Sequence, residues 1–262
     1  MKINFYKFHG TGNDFIMVDN RDLKFSKNDT NLIHKLCHRR FGIGADGLIL
    51  LENSENDKED FRMVYFNADG NQSSMCGNGG RCLVAFAKYL NVIGDSAIFS
   101  AIDGQHDAVI KDGLVSLKMQ DVDASDLNGK AVFLDTGSPH HIIFTEEVGD
   151  IDVKTKGQKI RYSAQYEPSG GTNVNFVQQT GEDQFLVRTY ERGVEDETFS
   201  CGTGVTAVAI AVNALGMSPR EEIHLKTRGG DLKVTFEKDK DSYSNIWLTG
   251  PAQYVYKGEV AC

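Results

Sequence analysis

Two stretches of the chain, residues 79–90 and 204–215, have helical length, are rich in small residues and are apolar nearly all the way round. A helix without a polar face has to be enclosed on most sides. The surrounding pattern supplies the enclosure. Short runs at 61–66, 97–101, 113–119, 185–190, 222–227 and 231–236 are rich in β-branched and aromatic residues and are bounded by Gly, Asn and Asp, so they read as strands and hairpins. Apolar positions Leu32, Ile33 and Leu36 share one face of an amphipathic helix expected over 29–40. The unbroken apolar run 207–212 is far short of the roughly 20 residues a membrane helix needs, and no run is longer.

The same pattern occurs twice. A shift of 125 residues, the interval from Cys76 to Cys201, lays Met75-Cys76-Gly77-Asn78-Gly79 on Ser200-Cys201-Gly202-Thr203-Gly204. It also lays Thr11-Gly12 on Thr136-Gly137 and 104–109 on 229–234. Scattered identities are few; local residue types arrive in phase, and that makes it a repeat. The expected fold class is therefore α+β: two pseudo-symmetric halves, each a curled, mostly antiparallel sheet around a central helix, with a site in the cleft between them. The halves are expected at 1–122 and 123–250, with a C-terminal strand at 251–262 packing back on the first. The join is placed in the polar stretch 120–130.

Composition narrows the partners. With 28 Lys and Arg against 37 Asp and Glu, the formal charge is −9, the wrong sign for tracking phosphates, so nucleic acid is not expected. A hydrophobic content of 40% is enough for packed cores and excludes a disordered chain. The opening residues do not read as a signal peptide, and no membrane association is expected, which points to the cytoplasm. The cysteine count is odd, five, with no Cys-x-x-Cys, so reduced thiols are expected and zinc is not.

Cys76 and Cys201 each precede a Gly-x-Gly and a helix. That position sets the sulfur at a helix N-terminus, where unpaired N–H groups and the macrodipole lower a thiol pKa. The same N–H groups suit a carboxylate. Inverting a carbon next to a carboxylate requires a proton to leave one face and another to arrive at the opposite face. One thiolate and one thiol suit that task, with roles exchanged in the reverse direction. Two small buried hydrophobes, or a disulfide between them, are the alternatives from the residues alone.

Asn67-Ala68-Asp69-Gly70 followed by Met75-Cys76-Gly77-Asn78-Gly79-Gly80-Arg81 resembles the signature of diaminopimelate epimerases, which are cofactor-independent amino-acid epimerases. Gly10-Thr11-Gly12-Asn13-Asp14-Phe15, Gly137-Ser138-Pro139-His140, Glu191-Arg192-Gly193 and Ser200-Cys201-Gly202-Thr203-Gly204 follow in that family's order, so the resemblance covers essentially the whole chain. It implies interconversion of LL- and meso-2,6-diaminoheptanedioate for lysine and peptidoglycan synthesis, with no pyridoxal phosphate or other cofactor, no metal, and a homodimer. It implies Cys76 and Cys201 as acid and base, supported by His140 and Glu191. The backbone of Gly77, Asn78, Gly202 and Thr203 would hold the reacting carboxylate. Asn13, Asn67, Asn173, Glu191 and Arg192 would contact the substrate, mainly at its distal end. Ser138 stands where many members have Asn, Asn71 where the signature has Ser, and Gly47 where some members carry Gln. A related two-cysteine racemase, such as a proline racemase, is the alternative, but it leaves Arg192 with Asn67 and Asn173 unexplained. A single-cysteine or cysteine-free relative, such as the phenazine-biosynthesis isomerases, would not need both Cys76 and Cys201. A non-catalytic amino-acid binder would not either.

Other signals carry less. Gly42-Ile43-Gly44-Ala45-Asp46-Gly47 satisfies a dinucleotide fingerprint literally, but a helix is expected before it and a strand after it, the reverse of what that loop requires. His34 and His38 have metal-ligand spacing without a third ligand and read as a solvated face. His141 reads as structural. Arg81 is balanced between an interface contact and a role in the site. Cys37 and Cys82 read as packing residues and Cys262 as a terminus.

Overall fold

The structure is a computed structural model that describes residues 2–73, 75–125, 127 and 132–261. The chain divides into two compact units, Met1–Leu117 with Gly250–Cys262, and Lys118–Thr249. This division lies just ahead of the polar stretch 120–130, because Val122–Asp123 is already paired within the second unit. Asp126 and residues 128–131 fall outside the described residues, as does Cys262.

The first unit runs β1 (Lys2–Gly10), β2 (Asn13–Asp19), α1 (Thr30–Cys37), β3 (Gly47–Glu52), β4 (Phe61–Asn67), α2 (Gly77–Tyr89), β5 (Ser96–Ala101), β6 (Gly104–Lys111) and β7 (Leu114–Lys118). The second runs β8 (Val122–Asp123), β9 (Val132–Asp135), β10 (Pro139–Phe144), α3 (Val153–Arg161), β11 (Asn173–Gln179), β12 (Gln184–Glu191), β13 (Asp196–Thr198), α4 (Gly202–Ala214), β14 (Glu222–Thr227), β15 (Gly230–Asp239) and β16 (Ser242–Pro251). The last strand, β17 (Gln253–Ala261), pairs antiparallel with β1 in the first unit.

Pairing within each unit is mostly antiparallel, interrupted at equivalent places. In the first unit β2 pairs parallel with β3 across α1, and β4 pairs parallel with β5 across α2. In the second unit β10 pairs parallel with β11 across α3, and β12 pairs parallel with β14 on either side of α4. A parallel pair cannot be closed by a hairpin and needs a crossover, which these helices provide.

The strands beside the outer helices, β2, β3 and β11, are buried on both faces over most of their length, and side-chain alternation decides what faces what. In β2, Phe15 and Met17 join the core around α2, whereas Ile16 and Val18 join Ile33 and Leu36 of α1. In β11, Val177 packs into the core around α4, while Val174 and Phe176 pack with Val153 of α3. Along α4 every residue from Val205 to Asn213 is buried, as a helix apolar all round requires.

The helices differ in detail from expectation. The central helices start at Gly77 and Gly202 rather than at 79 and 204, which makes Cys76 and Cys201 themselves the N-cap residues. Helix α1 is shorter than 29–40. Asp29 caps it by accepting the Leu32 N–H, and after Cys37 the His38 backbone is extended while its ring accepts the N–H groups of Arg40 and Phe41. Helix α3 was not legible in the sequence. It is largely polar, buries only Val153 and Gly157, and is set by the Asp152 cap on Thr155 N–H rather than by an apolar stripe.

Gly47 opens the buried strand β3. A Cβ there would lie 2.6 Å from both the Phe66 carbonyl oxygen and Tyr65 Cε2, so Tyr65 occupies the space that a side chain at this position would take. Gly47→Ala is expected to lower stability by about 1–3 kcal/mol, the usual cost of overpacking a core. Denaturant unfolding of the variant beside the parent chain measures it.

Candidate active site

In the first unit the site is built at the start of α2. Cys76 is extended, with φ −100° and ψ 125°, and the first intrahelical bond runs from Gly80 N–H to its carbonyl. Its Sγ–H donates to Asn13 Oδ1 at 3.6 Å, and Asn78 Nδ2 donates to the same oxygen at 3.2 Å. The orientation of both carboxamides is forced by charged neighbours. The carboxylate of Asp46 can only accept, and it takes Asn13 Nδ2 at 2.7 Å. The guanidinium of Arg81 can only donate, and its Nη2 reaches Asn78 Oδ1 at 2.9 Å. Asn13 therefore presents its oxygen, and Asn78 its nitrogen, toward the sulfur end of the helix. Arg39 holds Asp46 and Asp14, and Lys7 pairs with Asp14 at 2.6 Å. Burial works against the Asp14 charge, but hydrogen bonds from Arg39 and Lys7 outweigh it and hold its carboxyl down at about 2.

In the second unit the equivalent helix start carries neutral chemistry. Cys201 has φ −126° and ψ 115°, and Val205 N–H bonds to its carbonyl. Its Sγ lies 3.5 Å from Thr203 Oγ1, which is 2.9 Å from His140 Nε2. Asn175 Nδ2 must face the His141 carbonyl, a pure acceptor, and the same nitrogen lies 3.1 Å from His140 Nδ1. Nδ1 is thus the acceptor, and Nε2 carries the proton that goes to Thr203 Oγ1. Burial, with the positive Arg192 nearby, pushes His140 down to about 3 and keeps the ring neutral. The absence of a side chain at Gly204 permits this approach: a Cβ there would stand 2.6 Å from Asn175 Oδ1 and 3.3 Å from His140 Cε1.

Strand parity brings these residues together. His140 shares a face of β10 with Ile142, and Asn173 and Asn175 share a face of β11 with Val177, all toward the core around α4. Glu191 follows Val187 and Thr189 on the matching face of β12 and is half-buried. Arg192 follows it, its backbone N–H donating to Asn173 Oδ1 at 2.8 Å. The Asn173 nitrogen donates to Ser138 Oγ and the Pro139 carbonyl, each at 2.9 Å. Ser138 thus tethers Asn173. Asn67 ends β4 on the face that carries Phe61 and Met63 toward α2.

Sequence reasoning missed Asn175, Thr11 and Asp46 and left Arg81 undecided. Asn175 was findable by continuing the alternation of β11 two residues beyond Asn173. Of the residues set aside, His141 bonds the Tyr166 hydroxyl at 2.6 Å, His34 bonds the Ala68 carbonyl, and Cys37 and Cys82 lie in the cores. Burial pushes both thiols up, Cys37 to about 12.

The model of the family described as Diaminopimelate epimerase matches residues 5–123 and 132–255. The chain belongs to the diaminopimelate epimerase family. A diaminopimelate epimerase of Flavobacterium psychrophilum is 56% identical over 253 residues, covering 96% of this chain and 98% of that one. Another, from Chlorobaculum tepidum, is 42% identical over 265 residues, with 96% and 98% covered. Solved structures show the fold in more distant proteins. A Bacillus anthracis phenazine biosynthesis protein of the PhzF family gives a TM-score of 0.77 at 15% identity over all of both chains. A hydroxyproline epimerase from Agrobacterium vitis gives 0.70 at 14%, covering 99% of this chain and 92% of that one. As a member of the diaminopimelate epimerase family the chain is an isomerase.

A buried neutral histidine makes stability pH-dependent. In the unfolded chain His140 titrates near 6.5 and in the folded chain near 3, so between these values the unfolded state binds a proton that the folded state does not. Stability is complete above about 6.5 and falls as the pH drops toward 3, with a slope from this group approaching about 1.4 kcal/mol per pH unit. His141, also shifted down by burial, adds in the same direction. Denaturant unfolding between pH 4.5 and 7 should show a shallower slope for His140→Gln than for the parent chain.

Proposed function

We propose that the chain interconverts LL- and meso-2,6-diaminoheptanedioate by two-base proton transfer between Cys76, Cys201 and one α-carbon of the substrate. The observation that carries this reading is that each sulfur is the N-cap of a matched, enclosed helix, one per unit. The cysteine side chain makes no capping hydrogen bond at either helix. Backbone N–H groups of Gly77-Asn78 and Gly202-Thr203 then suit the carboxylate at the reacting carbon. One thiolate takes the α-proton and becomes S–H, and the electron pair of the broken C–H bond is spread into the carboxylate. The other thiol delivers its proton to the opposite face and becomes the thiolate. The carbanion is stabilised by the helix N–H groups in a site that must exclude water.

Distal recognition falls to Arg192, whose planar fork suits a second carboxylate. Asn13, Asn67 and Glu191 complete the grip, while Asn173 acts by holding the Arg192 backbone. His140 stays neutral and relays orientation to Cys201 through Thr203, and Glu191 assists proton transfer. The reading includes operation without pyridoxal phosphate, a homodimer, and the cytoplasm as location. Among the described residues no helix is long and apolar enough to cross a membrane.

In deuterated water the protein should convert LL substrate to meso product carrying one deuterium at the inverted carbon, with little early label in recovered substrate. Proton NMR and chiral chromatography follow both. Cys76→Ala and Cys201→Ala should each lose at least about a hundredfold in interconversion. Retained turnover in either variant, or equal early labelling of both pools, would overturn the two-base reading.

A further inference from the structure

Arg81 sits in the fifth position of α2 and is wholly buried, at 0% exposure. Among the described residues no carboxylate lies within ion-pair distance of it, and Nε and Nη1 have no hydrogen-bond partner. Only Nη2 is engaged, with Asn78 Oδ1 at 2.9 Å and Thr11 Oγ1 at 3.2 Å. A guanidinium stays charged when buried, and an uncompensated buried charge is among the most unfavourable features a core can hold. It therefore lowers the cost of any negative charge that forms nearby. Two ionisable groups feel it most: Cys82 and Cys76. Cys82 is enclosed in the core, where burial holds it as the thiol. Cys76 is half-buried at the helix start.

We propose that Arg81 is a positioning residue that, held by Asn78 Oδ1, sets a fixed positive charge behind the Cys76 sulfur and so favours the thiolate there. The other charged and titratable groups facing this region are already matched. Lys7 on β1 and Asp14 on β2 pair with each other, and Arg39 holds Asp14 and Asp46. Asp103 meets His106 of β6. His9 on β1 takes the Gly12 N–H, and Tyr65 on β4 packs against the core around α2. The Cys76 S–H contact to Asn13 Oδ1 works in the opposite sense and favours the thiol. That is a weak donor at 3.6 Å, and a full charge in a low-dielectric interior outweighs it.

The repeat supplies a built-in comparison. The 125-residue shift that matches the cysteines lays Thr206 on Arg81, and Thr206 spends its hydroxyl on the Gly202 carbonyl at 2.9 Å. The second helix therefore carries no cation at the place where the first carries one. The two sulfurs occupy equivalent positions but stand in different fields.

The test is the pH dependence of Cys76 alkylation by iodoacetamide in the full, reduced chain without substrate, read by peptide mass spectrometry. The parent chain should alkylate with a midpoint below the ordinary thiol value of about 8.5. Arg81→Met should raise that midpoint by about one unit or more, a roughly tenfold loss of thiolate at neutral pH, while Arg81→Lys stays closer to the parent. Because Arg81→Met removes a buried charge with unpaired N–H groups, its melting temperature should not fall. A parent midpoint at or above about 8.5 would overturn the proposal whether or not the variant folds. So would a folded Arg81→Met with an unchanged midpoint. The proposal rests on Cys76 as a proton-transfer group, but the readout needs no turnover. A shifted midpoint in a chain that fails to epimerise would support the role of Arg81 and count only against the function above.

Discussion

A helix that is apolar on every side cannot exist in water unless something surrounds it, and nearly everything in each unit follows from surrounding α2 or α4. The strands must present one face inward to these helices. Crossover connections then put α1 and α3 on the outer faces, and the strands beside them become core on both sides. The consequence for chemistry is a matter of parity. Once Phe15, Ile142, Val177 and Val187 are committed to the central helices, Asn13, His140, Asn173 and Glu191 lie on the same faces, at the strand ends nearest the helix starts. The polar site is thus placed by apolar packing.

Each start is made from different materials. Around Cys76 the amides are locked between charges, Asp46 with Arg39 on one side and Arg81 on the other. Around Cys201 they are locked by carbonyls and hydroxyls, with Thr189 Oγ1 donating to Asn175 Oδ1 and a neutral imidazole relaying to Thr203. Both solutions give a single donor and acceptor pattern, because one pure acceptor or one pure donor beside an amide is enough to leave it one stable orientation. The repeat preserved the scaffold and let the electrostatics diverge.

The sequence pattern revealed as much as local signals could carry. The two central helices were legible because an all-apolar, small-residue stretch allows few other readings. The strands at 61–66 and 222–227 were legible because β-branched and aromatic residues alternate between breakers. Cys76 and Cys201 were legible because the repeat set them in phase. Helix α3 was hidden because a single cap, Asp152, establishes it, with almost no apolar stripe behind it. Asn175 and Asp46 were hidden for a different reason. Their importance lies in which partner each orients, and such partners are brought close by long-range pairing, as of His140 with Asn173 and of Asn175 with Thr189.

The cysteines themselves show what the arrangement costs. Ser, Thr, Asp or Asn at an N-cap accepts an N–H from the first turn and stabilises a helix by about 1 kcal/mol over a residue that cannot. Asp29 and Asp152 do this for α1 and α3. At α2 and α4, the helices on which each core depends, the cap is a cysteine that makes no such bond. Stability is forgone twice at equivalent places, while the peripheral helices are capped in the ordinary way. A purely structural helix would gain from replacing Cys76 or Cys201 with Ser or Asp. Under the proposed function, the first-turn N–H groups that the cysteines leave uncapped would serve a carboxylate, and the sulfur beside them would act on its α-carbon. The enclosure that makes these helices costly to build also lets them tolerate an open end, since packing along their whole length, and not the cap, holds them in place.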